Sequence, residues 1–230
     1  MLTWLLFMLP ALALALYAQW KVKSTYRKYS QVQASCGLSA AQVAERILGY
    51  GAVSLGSPDL RSVQIGAVSG ELADHYDPRT KTLRLSNPES TSLADIGVAA
   101  HEAGHALQDA ARYRPLVLRS ALVPAAQFGS QLAFPLIFGG LLFGGLKPLM
   151  LMGIVLYSAA VAFTLVTLPV EFDASRRALA LLRDTGLVTS KKELAAVRRV
   201  LSAAALTYVA AAASAILTLV YYIFLYSQRR

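Results

Sequence analysis

Cysteine is nearly absent: Cys36 stands alone among 230 residues. A single thiol excludes an intramolecular disulfide framework and a Cys-rich zinc finger. Any metal this chain binds must therefore be held by His and carboxylates. Charge is scarce as well, at 15% of residues against about 25% in a typical soluble domain. The scarcity is uneven. Residues 2–20, 120–146, 148–170 and 202–227 contain no charged side chain. About 20 apolar residues cross the hydrocarbon core of a bilayer, so each block is long enough to span it. With 56% hydrophobic residues and a mean hydropathy of +0.49, the composition points to membrane helices rather than to a large soluble core.

What charge there is has a pattern. The formal net charge is +9, a balance that suits either nucleic acid or a membrane surface. Residues 21–119 hold twelve Lys and Arg and residues 171–201 hold seven; only Lys147, Arg229 and Arg230 lie elsewhere. Alternating crossings place the two basic segments on one side, which the positive-inside rule makes cytoplasmic. Topology thus accounts for the basic charge, and no nucleic-acid partner is expected. No Lys or Arg precedes the first block, whereas Lys21, Lys23, Arg27 and Lys28 follow it. That order is the reverse of a cleaved signal peptide and reads as a retained anchor. The short gap between the second and third blocks, around residues 144–148, predicts a helical hairpin. The fourth block is expected to cross as well, with a surface or re-entrant helix as its alternative.

Between the first two blocks lies a polar segment with local folding signals. Ser39 and Gln42 fit a capping box that opens a helix through Leu48, with Gly49 and Gly51 as its stop. Residues 62–68 alternate weakly, as a strand does. Residues 75–85 (HYDPRTKTLRL) read as a hairpin turning at Asp77-Pro78 and returning through Thr82, Leu83, Arg84 and Leu85. Thr91 or Ser92 caps a further helix, with Ser92 and Asp95 matching the box pattern; it runs through Ile96, Ala99, Ala103 and Leu107 and ends at Pro115.

That last helix carries the chemistry. His101-Glu-Ala-Gly-His105 is a HExxH pattern. Residues four apart lie one turn apart on one helix face, so both imidazoles can reach a single metal. Glu102 lies about 100° further round, where it can take a proton from an activated water and pass it to a leaving amine. Two of only three His in the chain fall at this spacing around a Glu. Gly104 costs about 1 kcal/mol of helix propensity relative to Ala. Together with Ala103 it suggests that another element comes close at this point.

A catalytic zinc takes three protein ligands, and no third His follows. Between positions 112 and 170 there is no acidic residue; the next is Glu171. A hairpin that leaves and re-enters the same membrane face would return Glu171 to the side of His101 and His105. Glu171 is thus the expected third ligand, with Asp173 its competitor. His75, Tyr76 and Arg176 are candidate donors to a transition-state oxyanion. The strand around Leu83 to Leu85 is a candidate edge for an extended substrate.

HEAGHALQ, the later PVEFDASRRAL and the earlier DHYDPRTKTLRLS resemble the membrane-bound neutral zinc metallopeptidases of the YugP-like family, over most of the chain. More distantly the layout is similar to the HtpX-type and CAAX-prenyl-type membrane proteases, which place HExxH before membrane helices and a Glu ligand after them. Ser175 stands where those relatives have Asp, so a ligand His would need another orienting group, with Asp173 or Asp109 as candidates. The resemblance implies peptide hydrolysis near the membrane.

These readings combine into one expectation. The fold is mainly α: a polytopic bundle of about four transmembrane helices with a small cytoplasmic α+β, zincin-like metalloprotease domain. Residues 1–20 form the anchor, 21–119 the cytoplasmic segment with the HExxH helix, 120–170 the membrane hairpin, 171–201 a cytoplasmic helix with the third ligand and 202–230 a last membrane helix. His101, His105 and Glu171 hold one Zn2+ per chain, Glu102 is the general base, and His75, Asp173 and Arg176 are possible supporting groups. The partners are a peptide or membrane-protein substrate and the bilayer. The rival class is a zinc-binding membrane scaffold without hydrolysis. A transporter ranks last, because the apolar blocks carry almost no buried charge.

Overall fold

The computed structural model describes residues 2–143 and 146–228; residues 144–145 of the expected hairpin turn and Arg229 and Arg230 lie outside them. Among the described residues, six helices and three strands follow in the order α1 (Leu2–Tyr29), α2 (Ala40–Ser54), a 3-10 turn (Pro58–Ser62), β1 (Gln64–Ala67), β2 (His75–Asp77), β3 (Thr82–Leu85), α3 (Leu93–Ala110), α4 (Arg114–Leu142), α5 (Lys147–Asp184) and α6 (Lys191–Ser227). The fold is mainly helical with one small sheet. The chain divides into two compact units: Met1–Gln19, Pro115–Pro169 and Leu206–Arg230 form one, Trp20–Arg114 and Val170–Ala205 the other.

The first unit is built from the uncharged blocks. α1, α4, α5 and α6 each contain a stretch long and apolar enough to cross a membrane, which supports a multi-pass membrane protein. Their outer faces carry large apolar side chains in the open, such as Phe128 at 63% and Phe134 at 62% exposure. Faces of that kind suit lipid rather than water. Inside, α4 meets α5 along small residues. A Cβ on Gly153 would lie 3.0 Å from the Ala133 carbonyl oxygen, and one on Gly140 would lie 2.5 Å from Met150 Cγ. A Cβ on Gly129 would run into the Leu156 carbonyl oxygen. In lipid no hydrophobic force drives helices together, so close backbone packing through small residues supplies the attraction instead. Ala133, Ile137, Met150 and Ile154 are buried at this contact. Tyr157 and Tyr222 meet edge to face beside it, ring centroids 5.3 Å apart.

The second unit has its own core, centred on α2, α3 and the sheet, with Ile47, Leu83, Leu85, Leu93, Ile96, Leu182 and Val197 all buried. The Ser39–Gln42 capping box is present in full. α2, however, runs past the glycines expected to stop it and ends at Ser54. Gly51 serves packing: a Cβ there would lie 3.0 Å from Leu107 Cγ of α3. The sheet order is β1-β3-β2, with β1 parallel and β2 antiparallel to β3. β2 and β3 form the expected hairpin. Central β3 has strands on both sides, and Leu83 and Leu85 are buried. The Leu83–Leu85 strand therefore offers no free edge, which overturns its reading as a substrate-pairing strand.

α3 opens as the cap signal predicts: the Ser92 hydroxyl accepts from the Asp95 N–H at 3.1 Å. The Asp95 carboxylate, buried, in turn accepts from Ser92 Oγ at 2.6 Å and from Tyr26 Oη at 2.5 Å. A buried carboxylate persists only when hydrogen-bonded in this way. At the other end α3 stops at Ala110, before Pro115; Arg112 turns the chain at φ 48°. Pro115 is instead the second residue of α4. At that position its missing N–H has no intrahelical partner to lose, and its fixed φ suits a helix start.

The two classes of glycine separate in a stability experiment. Gly49 lies inside α2 with nothing within 4 Å of a Cβ placed there, so Gly49→Ala is expected to stabilise by about 0.5–1 kcal/mol. Gly129→Ala is expected to destabilise, because its new methyl meets a backbone carbonyl that cannot rotate away. Thermal unfolding in detergent should show the melting temperature rising for the first variant and falling for the second.

Candidate metal centre

The spacing in HExxH puts three functional side chains of α3 in two directions. His101 and His105, one turn apart, face the end of α5. There Glu171, 2% exposed, brings Oε2 to 3.2 Å from His101 Nε2 and 3.6 Å from His105 Nε2. The three candidate ligand atoms all lie within 4.8 Å of one another. Glu102 points elsewhere on the helix, toward β2. The Tyr76 N–H donates to its Oε2 at 2.9 Å. Asp109, two turns on, accepts from Tyr76 Oη at 2.9 Å and pairs with Lys81. Strand β2 is thus fixed to α3 at both ends of one side chain.

Why the helices come this close is written at position 104. A Cβ on Gly104 would stand 2.9 Å from the Ala174 carbonyl oxygen and 3.4 Å from Ala174 Cα. Any larger residue would hold α3 and α5 apart. Gly97, two turns earlier on α3, gives α6 the same access, with Val197 Cγ1 2.9 Å from a Cβ placed there. The small residues next to the two His therefore meet α5, the element that supplies the Glu.

Electrostatics follow the geometry. Burial pushes the His105 imidazole down, but the Glu171 hydrogen bond, the charges of Glu102 and Glu171 and the Gln108 bond outweigh it and hold it above its ordinary value. The Tyr76 phenol is pushed up by burial and then by its Asp109 partner; it stays protonated and donates.

Beside the two imidazoles stand Ser175 and Gln108. The Ser175 hydroxyl lies 3.2 Å from His101 Nδ1, so the position where Asp stands in distant relatives still contacts the first His. Neither Asp173 nor Asp109 does so. Asp173 is buried and engaged by Gln108, Arg176 and Arg177, among polar partners rather than in the His cluster. Arg176 is turned to Asp173, and His75 Nδ1 bonds the Ala73 carbonyl oxygen at 2.8 Å within its own loop. Gln108 is the residue that sequence reasoning passes over. Its Oε1 lies 3.0 Å from His105 Nδ1. A polar residue three positions after a candidate ligand, on the buried side of the helix, is the signal that could have found it.

The donor set fits zinc. Bonds of about 2.0–2.1 Å at tetrahedral angles place ligand atoms about 3.3 Å apart, beside the 3.2 and 3.6 Å between Glu171 Oε2 and the two imidazoles. Two imidazoles and a carboxylate are also the ligand types that suit this ion. The chain thus combines four membrane-length helices with a candidate metal cluster of two His on α3 and one Glu on α5. Residues 4–227 match the family described as "Putative neutral zinc metallopeptidase", and the chain belongs to that family. It is 44% identical over 224 residues to "Putative membrane protease YugP" of Bacillus subtilis (strain 168), covering 96% of each chain. No solved structure matches it.

If the Gly104 contact sets the ligand spacing, Gly104→Ala should lower zinc affinity on the order of tenfold, as other losses of ligand support do. Competition with a chromophoric chelator on the detergent-purified protein measures this. Unchanged affinity would show that the spacing is set elsewhere.

Proposed function

We propose that this chain is a membrane zinc metallopeptidase that hydrolyses peptide bonds at the cytoplasmic face of the membrane. His101, His105 and Glu171 hold one zinc, and Glu102 is the general base. The observation that carries the reading is the convergence of three candidate ligand atoms, from half-buried His101 to buried Glu171, beside an independently anchored carboxylate. Family membership and the named relative support a protease role.

When bound, zinc supplies Lewis-acid activation of water and of the scissile carbonyl. The chain's own residues do the rest. Tyr76 N–H holds Glu102 Oε2, so the carboxylate keeps one orientation while its other oxygen takes a proton from the attacking water. The same oxygen then delivers that proton to the departing amine. Gly104 and Ala174 hold the helices at the separation the ligands require. Glu171, buried and bonded by His101, faces the two imidazoles from α5. The small domain around α3 is zincin-like in this reading. The Lys- and Arg-rich segments that carry the site support a cytoplasmic location through the positive-inside rule. Substrates are then peptides or membrane-protein segments that reach that face.

Metal analysis of detergent-purified protein, paired with cleavage of a quenched-fluorescent peptide library, tests the proposal. The wild type is expected to hold one zinc per chain and to cleave. Glu171→Ala should lose the metal. Glu102→Gln should keep it and lose about 10²- to 10⁴-fold in rate, the range ascribed to a positioned proton-transfer group. A wild type without zinc after loading would sink the proposal. Zinc binding with no cleavage, indifferent to Glu102→Gln, would point to a zinc-holding membrane scaffold.

A further inference from the structure

Gln108 is 0% exposed and its amide is fully committed. The Nε2 group donates to the Val170 carbonyl oxygen at 2.9 Å and to Asp173 Oδ2 at 2.9 Å. Both partners are acceptors only: a backbone carbonyl, and a carboxylate that itself accepts from Arg176 and Arg177. The orientation of the amide is therefore decided by chemistry. Its two N–H bonds face Val170 and Asp173, and Oε1 faces His105. An amide oxygen can only accept, so the His105 Nδ1 that stands 3.0 Å away must carry a proton. A neutral imidazole protonated at Nδ1 keeps its Nε2 lone pair for a metal, and Nε2 is the ring atom on the Glu171 side.

The second link is positional. Val170 immediately precedes Glu171, so the Gln108 amide ties a ligand on α3 to the peptide beside a ligand on α5. Ser175 at His101 offers no such lock, because a hydroxyl both donates and accepts and leaves either tautomer open. The two imidazoles are thus held unequally.

We propose that Gln108 is a positioning residue that fixes His105 as the Nδ1–H imidazole and joins it to the backbone of Glu171, so that the metal site depends on it though it contributes no ligand. The inference rests on the zinc-site reading above. The Arg176 and Arg177 guanidiniums extend the chain through Asp173 to Gln108 and His105, so the polarity of the amide is set by the Asp173 charge.

Two variants and one measurement on the unaltered protein test this. Gln108→Met fills the same space without hydrogen bonds, and its zinc affinity by chelator competition is expected to fall 10- to 100-fold. The exchange Gln108→Glu with Asp173→Asn reverses the hydrogen bond between the two side chains but still offers His105 Nδ1–H an acceptor. Its affinity is expected to lie above that of the Met variant and below wild type, because the acceptor for His105 is restored while the donor to the Val170 carbonyl is lost. A Met variant that binds as tightly as wild type overturns the inference, and so does an exchange variant as weak as the Met variant. Should the Met variant fail to fold, the zinc-loaded wild type labelled with 15N-histidine decides. A ring Nδ1–H of His105 that exchanges slowly with solvent supports the inference, with the His101 signal assigned through Ser175→Ala; rapid exchange overturns it. Zinc binding by wild type alongside either negative result leaves the metallopeptidase reading standing. Absence of zinc binding by wild type removes both.

Discussion

The backbone contact between Gly104 and Ala174 is the constraint on which the rest of the site depends. Two imidazoles one turn apart on α3 can share a metal only with a third donor a few ångströms away. The nearest acidic residue beyond the helix is about 60 positions downstream. Bringing Glu171 to within 3.2 Å of His101 Nε2 requires α3 and α5 to approach at a point where neither has bulk. Gly104 supplies that space within the HExxH pattern itself. The helix thus carries a residue of poor helix propensity, a cost of about 1 kcal/mol relative to Ala, because the packing demands it. The same trade recurs at Gly97 against Val197 and at Gly51 against Leu107. α3 and its neighbour α2 therefore sit in a cluster held by close approach more than by large side chains.

Much of this was legible in the sequence for identifiable reasons. Charge-free blocks report membrane helices directly, because a charged side chain in lipid is costly. The cap residues Ser39 and Ser92 report helix starts because their hydroxyls satisfy backbone N–H groups that would otherwise lack partners. Glu171 stood out because the acidic residues are so few. What failed to read was tertiary. Gly49 and Gly51 resemble a stop, yet helix packing carries α2 through them, since local propensity yields to a buried face. Pro115 marked a boundary but belonged to the helix after it. The Leu83–Leu85 strand looked available because a hairpin has two edges in sequence; only the parallel partner β1, which no local pattern announces, takes the second. Ser175 could not be read as a contact of His101 because that contact exists only once α5 lies against α3, and for Gln108 the spacing to His105 is local whereas its partners Val170 and Asp173 are not.

The polar residues around the site divide into two layers with different tasks. Glu102, Tyr76, Asp109 and Lys81 join α3 to the sheet. His101, His105, Gln108 and Asp173 join α3 to α5. Under the proposed function, the first set governs where a proton can go, and the second governs where a metal can sit. The division follows from helix geometry: residues 102 and 109 lie seven apart on one stripe, whereas 101, 105 and 108 lie three and four apart on another. One helix thereby serves two neighbours without either set of hydrogen bonds competing for the same side chain.

This separation has a consequence for how the chain tolerates change. On the sheet side Glu102 is held by a backbone N–H, a donor that no side-chain substitution at position 76 removes except proline. On the α5 side Gln108 reaches one backbone group, the Val170 carbonyl, but the longest link runs through side chains, from the Arg177 guanidinium through Asp173 and Gln108 to His105. Each member is polarised by the next, so weakening the outer ion pair is felt at the imidazole. The orientation of Glu102 therefore belongs to the fold, whereas the orientation of His105 belongs to three particular side chains, Gln108, Asp173 and Arg177, none of them a proposed ligand.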